Sequence, residues 1–231
     1  MEVSRGGPGA DAPEYMSKST PTLRTSTPTT PQITQAYEHL PLPRHQQPTP
    51  ENALIFIGGL GDGPNSIPYV RTLALHLSTL PHLSYSVFET RLHSAHTGYG
   101  YSSLDEDTYE LAELVRHLRT RLGKKKVVLM GHSTGGDDDY FSSDLPDEKL
   151  ENTWGKLKEP VLIMPSEKDE WVSPRLDVLD LVEKWVSFCK PGIASELSGL
   201  IPGANHRVDN EDGQSWLADC VARFLADIEK R

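Results

Sequence analysis

Lys126-Val127-Val128-Leu129-Met130-Gly131-His132-Ser133-Thr134-Gly135-Gly136 is a short apolar strand running directly into Gly-x-Ser-x-Gly. A serine at the tip of a tight strand-to-helix turn sits in strained backbone, and small residues on either side leave room for it. Gly131 and Gly135 stand two residues before and after Ser133. The pattern therefore marks Ser133 as a candidate nucleophile at the carboxyl end of a strand. A glycine-rich strand end without chemistry is the plainer reading of the same residues.

Outward from that strand, the chain alternates strand and helix signals. Upstream, Ala53 to Ile57 is a short apolar run closed by Gly58-Gly59-Leu60-Gly61-Asp62-Gly63. Ile67, Val70, Leu73, Ala74, Leu77 and Leu80 then recur at helical spacing, Tyr85 to Phe88 reads as a strand, and Leu111, Leu114, Val115, Leu118 and Leu122 line one face of a helix. Downstream, the pattern predicts strands at Val161 to Met164 and Leu197 to Ile201. It predicts helices at Leu176 to Cys189 and over the last segment, with Trp216, Leu217, Cys220, Val221, Phe224, Leu225 and Ile228 inward. Such alternation predicts an α/β fold: a mostly parallel sheet with helices on both faces.

Composition bounds the remainder. The 231 residues make one domain of ordinary size, and the net charge of -10 opposes a nucleic-acid or anionic-membrane partner. A small-molecule substrate is the expectation. Cys189 and Cys220 both fall in amphipathic helical patterns and read as core thiols, which fits a reducing, cytoplasmic compartment. No apolar run has the length of a membrane span or the character of a secretory signal. Nine of the 18 prolines lie in the first 50 residues among many Ser and Thr, so residues 1–32 read as a disordered tail and 33–231 as the domain. Ile33 to Leu40 is the exception in that region, a candidate edge strand.

Loops at the carboxyl ends of parallel strands converge on one edge of the sheet. Three of these carry chemistry. Ser133 needs a base, which His206 in Pro202-Gly203-Ala204-Asn205-His206 can supply; Asp169 in Ser166-Glu167-Lys168-Asp169-Glu170 can hold the imidazole and stabilise its charge. The Leu60 backbone N–H, with that of Thr134, would donate to an oxyanion. Each assignment has rivals. His76, His82 and His117 belong to helix faces or ends, and His132 fills the elbow; Glu167, Glu170 and Asp209 compete with Asp169 for the acid. The Gly58–Gly63 loop lacks the Gly-Lys-Ser/Thr ending of a P-loop and the spacing of a dinucleotide site, so no cofactor is expected. The run Asp137-Asp138-Asp139 lacks the alternating ligands of a calcium loop, so no metal is expected either.

Ala53 to Gly63, Gly131 to Gly135, Asp138-Asp139-Tyr140-Phe141-Ser142-Ser143-Asp144-Leu145, Ser166 to Val172 and Ile201 to His206 together resemble a largely fungal family of α/β hydrolases of formerly unknown function. The resemblance spans about Ile33 to the C-terminus. It implies a serine esterase, with members that cleave ester bonds of fusarinine-type siderophores inside the cell. The chain departs from that family after Gly136, where a helix, a strand and a substrate-covering lid, on the order of 90 residues, are missing before the acid-bearing strand. The expectation is therefore a shortened hydrolase, with two readings of its function. It is either an esterase that retains Ser133, Asp169 and His206, or a catalytically impaired relative with a binding role.

Overall fold

Asn52–Ile57 is buried at every position, and that burial sets the centre of the sheet. The computed structural model describes residues 23–27, 30–40, 49–95, 101–133 and 145–231. Its strands are β1 (Leu23–Thr27), β2 (Thr30–His39), β3 (Asn52–Ile57), β4 (Tyr85–Arg91) and β5 (Val127–Gly131), in the order β1-β2-β4-β3-β5. A strand covered on both faces has no polar side, which is why Ala53 to Ile57 is apolar without alternation. β3 runs parallel to β4 on one side and to β5 on the other.

Helices supply the crossovers and cover both faces. α1 (Pro68–Ser78) joins β3 to β4 and begins on a proline, whose missing N–H costs nothing in the first helical turn. Its Val70, Leu73 and Leu77 share one apolar cluster with Leu54, Phe56 and Val87 of the sheet and with Leu217, Val221 and Leu225 of α5 (Glu211–Glu229). α2 (Leu104–Arg121) joins β4 to β5. A capping box fixes its start: the Ser103 side chain accepts from the Glu106 N–H, and Glu106 accepts from the Ser103 N–H. Leu114 and Leu118 of α2 then cover Ala53, Ile55 and Phe88 on the opposite face.

The structure adds detail to the sequence reading in three places. The sheet is mixed, because β2 pairs antiparallel with β4 and β1 antiparallel with β2. β1 also lies inside the stretch expected to be tail, and it places β2 one strand in from the edge. Residues 1–22 lie outside the described residues. Threonine-rich segments carry the β preference that the proline and serine content masks. Third, the segments expected as strands at 161–164 and 197–201 make only single parallel bridges, Val161 to Ala194 and Ser166 to Ile201, and among the described residues do not join the five-stranded sheet. Around them α3 (Asp147–Thr153) and α4 (Val178–Phe188) build a separate cluster of Leu150, Ile163, Val182 and Trp185, with Trp154 stacked on Trp185 at 5.9 Å.

Candidate active site

Ser133 stands two residues beyond the end of β5 and has φ +53°, a left-handed conformation that a residue with a Cβ adopts only under constraint. Part of the constraint is local: the His132 N–H donates to Ile57 O at 3.0 Å, tying the end of β5 to the end of β3. A second part is the glycine loop after β3. A Cβ placed on Gly59 would stand 2.8 Å from Ser133 Cβ and 3.2 Å from its Oγ, so the serine is pressed against that backbone.

Asp62 shapes the loop. Its Oδ2 accepts the Gly59 N–H at 2.7 Å, its Oδ1 accepts the Ser66 hydroxyl at 3.2 Å, and its own N–H donates to Gly59 O at 3.1 Å. The Leu60 N–H forms no hydrogen bond among the described residues, and the Leu60 side chain is exposed. Thr134, the other expected oxyanion donor, lies outside the described residues, as do Asp137 to Asp139.

The loops that carry Asp169 and His206 are zipped together by carboxylates, each with a separate partner. Asp169 Oδ2 stands 2.8 Å from His206 Nδ1, while its Oδ1 accepts the Trp171 N–H at 2.9 Å. Glu167 takes the Gly203 N–H at 2.5 Å, and Glu170 takes the His206 backbone N–H at 2.9 Å. That last bond holds the Glu170 carboxyl below its ordinary range. Asp209 instead pairs with the Asn205 side chain at 2.8 Å. Of the four carboxylates weighed from the sequence, only Asp169 reaches the imidazole.

His132 bridges the two halves of the site. Its ring lies 5.0 Å from that of His206, stacks on Phe56 at 6.3 Å and meets Tyr69 edge-on at 5.7 Å. Burial is the main reason that its pKa is pushed down to about 4; Asp62, 4.0 Å away, opposes the shift without cancelling it. His132 is thus neutral near pH 7. Ser133 follows His132 in the chain, and the imidazole of the Asp169–His206 pair lies beside the His132 ring. The described residues include no direct Ser133–His206 hydrogen bond.

Two contributors escaped the sequence reading. One is Asp62, concealed as a loop residue. The other is Glu89 on β4, buried with His39 at 3.0 Å and accepting the Asn65 N–H at 3.0 and 3.1 Å, which anchors the far end of the glycine loop. A glutamate directly after the Tyr85 to Phe88 strand signal was its clue.

The strand order, the two crossover helices and the strained serine after β5 define an α/β hydrolase fold. A siderophore hydrolase from Aspergillus fumigatus, EstB, has the same fold, with a TM-score of 0.72 at 20% identity over 91% of this chain and 98% of its own. The chain belongs to the DUF1749 family, a protein family of unknown function, which matches residues 16–136 and 135–226. A UPF0613 protein of Schizosaccharomyces pombe is 25% identical over 276 positions, 74% of this chain and 86% of the relative. Because 74% of 231 residues is about 171, some 105 of those positions have no residue here. The fusarinine C esterase of Aspergillus fumigatus is 36% identical over 92 residues, 36% of this chain and 25% of that enzyme. The match to that esterase spans only a quarter of its length. No helix among the described residues is long and apolar enough to cross a membrane.

Proposed function

We propose that this protein is a serine ester hydrolase with Ser133 as nucleophile, His206 as base and Asp169 as the acid that orients it. The observations that carry the reading are a serine in left-handed backbone against Gly59 and a carboxylate-held imidazole beside the ring of His132, the residue before that serine. Asp169 fixes the tautomer with the proton on Nδ1, which leaves Nε2 to take the Ser133 proton. Ser133 Oγ then adds to the ester carbonyl, and the Leu60 and Thr134 N–H groups receive the oxyanion. Collapse breaks the ester C–O bond, and His206 returns the proton to the departing alcohol. Water, activated by the same imidazole, hydrolyses the acyl-enzyme.

The relatives direct the choice of substrate: a fusarinine-type siderophore ester, cleaved in the cytoplasm, is the first to try. Trp171 suits such a bulky ligand, since it is 79% exposed and lies edge-on to His206 at 6.2 Å. The absence of a Ser133–His206 hydrogen bond favours a second reading, a catalytically impaired relative, although such bonds often tighten only when substrate binds. Labelling by a fluorophosphonate probe, read by intact mass, separates the two. Labelling of the wild type that disappears in Ser133→Ala is the expected result. A folded sample that stays unlabelled overturns the active-enzyme reading.

A further inference from the structure

Trp171 is the most exposed of the four tryptophans. Trp185 is buried, Trp154 is partly buried against it, and Trp216 is 36% exposed on α5, whereas Trp171 is 79% exposed. A ring left in water adds little to a core, since its stabilising value comes from the apolar area it buries. Its place is nonetheless fixed. The Trp171 N–H donates to Asp169 Oδ1 at 2.9 Å and the Val172 N–H to Asp169 O at 3.2 Å, so the turn that presents the ring is closed by the residue that also holds His206 Nδ1. Among the described residues, the one ring that Trp171 meets is that of His206, edge-on at 6.2 Å and 66°.

The chemistry of the triad decides which half of an ester comes to this place. In the proposed mechanism the carbonyl carbon is bonded to Ser133 Oγ, and the N–H groups of Leu60 and Thr134 receive its oxygen. The departing alcohol oxygen takes its proton from His206 Nε2, which requires a separation of about 2.6–3.2 Å. The alcohol group is therefore the half that starts against the His206 ring, and the acyl group is the half that stays with Ser133. An indole whose centroid is 6.2 Å from that of His206 is within reach of a ring carried on the alcohol oxygen. The carboxylates of Glu167, Glu170 and Asp209, in the same two loops, disfavour an anionic group there.

We propose that Trp171 is the platform of a leaving-alcohol subsite, and that the esters this site prefers carry an uncharged, flat, conjugated group on the alcohol side. The assignment rests on the reading of Ser133, Asp169 and His206 as a triad. Offset stacking on an indole face favours a planar π group over a saturated group of equal size, because the stacking geometry adds to the area buried. Trp171 thus determines specificity and does no chemistry: it holds the departing group beside the imidazole and exchanges no proton.

Two esters with the same ring on opposite halves test the assignment: 2-naphthyl acetate, with the ring on the alcohol, and ethyl 2-naphthoate, with the ring on the acyl group. Trp171→Ala keeps the backbone N–H that Asp169 accepts. The ratio of kcat/KM for 2-naphthyl acetate to that for ethyl 2-naphthoate is expected to fall about tenfold in Trp171→Ala, and to stay within about threefold of wild type in Trp171→Phe. Equal losses on both esters would mean that the indole only supports the Asp169 turn, and a larger loss on ethyl 2-naphthoate would put it on the acyl side; either result overturns the proposal. Titration of Ser133→Ala with 2-naphthol, with and without Trp171→Ala, separates the platform from the triad, and about tenfold weaker binding is expected without the indole. Wild type that hydrolyses neither ester removes the triad reading and with it the leaving-group assignment. Equal binding of 2-naphthol with and without the indole removes the platform, whatever the activity.

Discussion

His206 receives two carboxylates on two different atoms: Asp169 at 2.8 Å on Nδ1 and Glu170 at 2.9 Å on the backbone N–H. Under the proposed mechanism, only the first can respond to the charge that would develop on the ring. Asp169→Asn is therefore expected to lower kcat for an activated ester such as p-nitrophenyl acetate by about 10³–10⁴-fold, with little change in KM. Glu170→Gln keeps an acceptor for the N–H and should stay within about threefold of wild type. Equal losses in the two variants would remove Asp169 from the catalytic role.

Gly59 and Ser133 make a steric prediction. The 2.8 Å separation between a Cβ at Gly59 and Ser133 Cβ involves no flexible side-chain end, so Gly59→Ala must move either Ser133 or the loop that carries Leu60. Fluorophosphonate labelling rates should fall by about 10²–10³-fold, the scale of a lost oxyanion interaction. Gly61 meets nothing within 4 Å, and Gly61→Ala is the matched control expected to label nearly as fast as wild type. Similar rates for both variants would show that the loop does not press on the serine during reaction.

The sequence made the elbow readable because strain demands small neighbours, and Gly131 and Gly135 flank Ser133. The sequence singled out Asp169 as the acid but left three rival carboxylates beside it. Glu167, Asp169, Glu170 and Asp209 are alike until the fold brings Gly203, His206 and Asn205 to them, each partner selecting one carboxylate by position. The His39–Glu89 pair was hidden for a related reason, since 50 residues separate two groups that only sheet pairing brings together. The segments at 161 and 197 were legible as apolar runs, but among the described residues they pair only through single bridges, a matter of tertiary placement that no local pattern encodes. β1 failed in the other direction: Pro and Ser around Leu23–Thr27 resemble a tail, and its partner β2 alone makes it a strand.

His132 predicts how stability depends on pH. Its folded pKa, about 4, lies below the ordinary 6.5, so on acidification the unfolded chain takes up the proton first. The contribution is complete above about pH 6.5 and is lost as pH falls toward 4, with roughly 2 kcal/mol gone by pH 5. His132→Gln loses ring contacts at every pH, so the informative quantity is the slope. Urea unfolding at pH 7 and pH 5 should show a smaller loss in His132→Gln than in wild type, and identical slopes would mean that the ring already titrates freely.

Glu110 on α2 predicts a dependence of opposite sign. Its side chain is buried, one oxygen accepts the His93 N–H at 2.9 Å, and the other, Oε1, has no partner among the described residues. Burial raises its pKa above the ordinary glutamate value, against the lowering effect of the His93 hydrogen bond, so the folded protein keeps a proton that the unfolded chain has released. Stability from this group is complete below the unfolded pKa and lost as pH rises through the folded one. Glu110→Gln retains the acceptor for His93 and cannot ionise. The variant should therefore melt above wild type near pH 8, by about 2–4 °C for each kcal/mol recovered, with the difference shrinking as pH is lowered toward the unfolded glutamate pKa. A Tm difference that does not change with pH would mean that the effect of Gln at this site is packing alone.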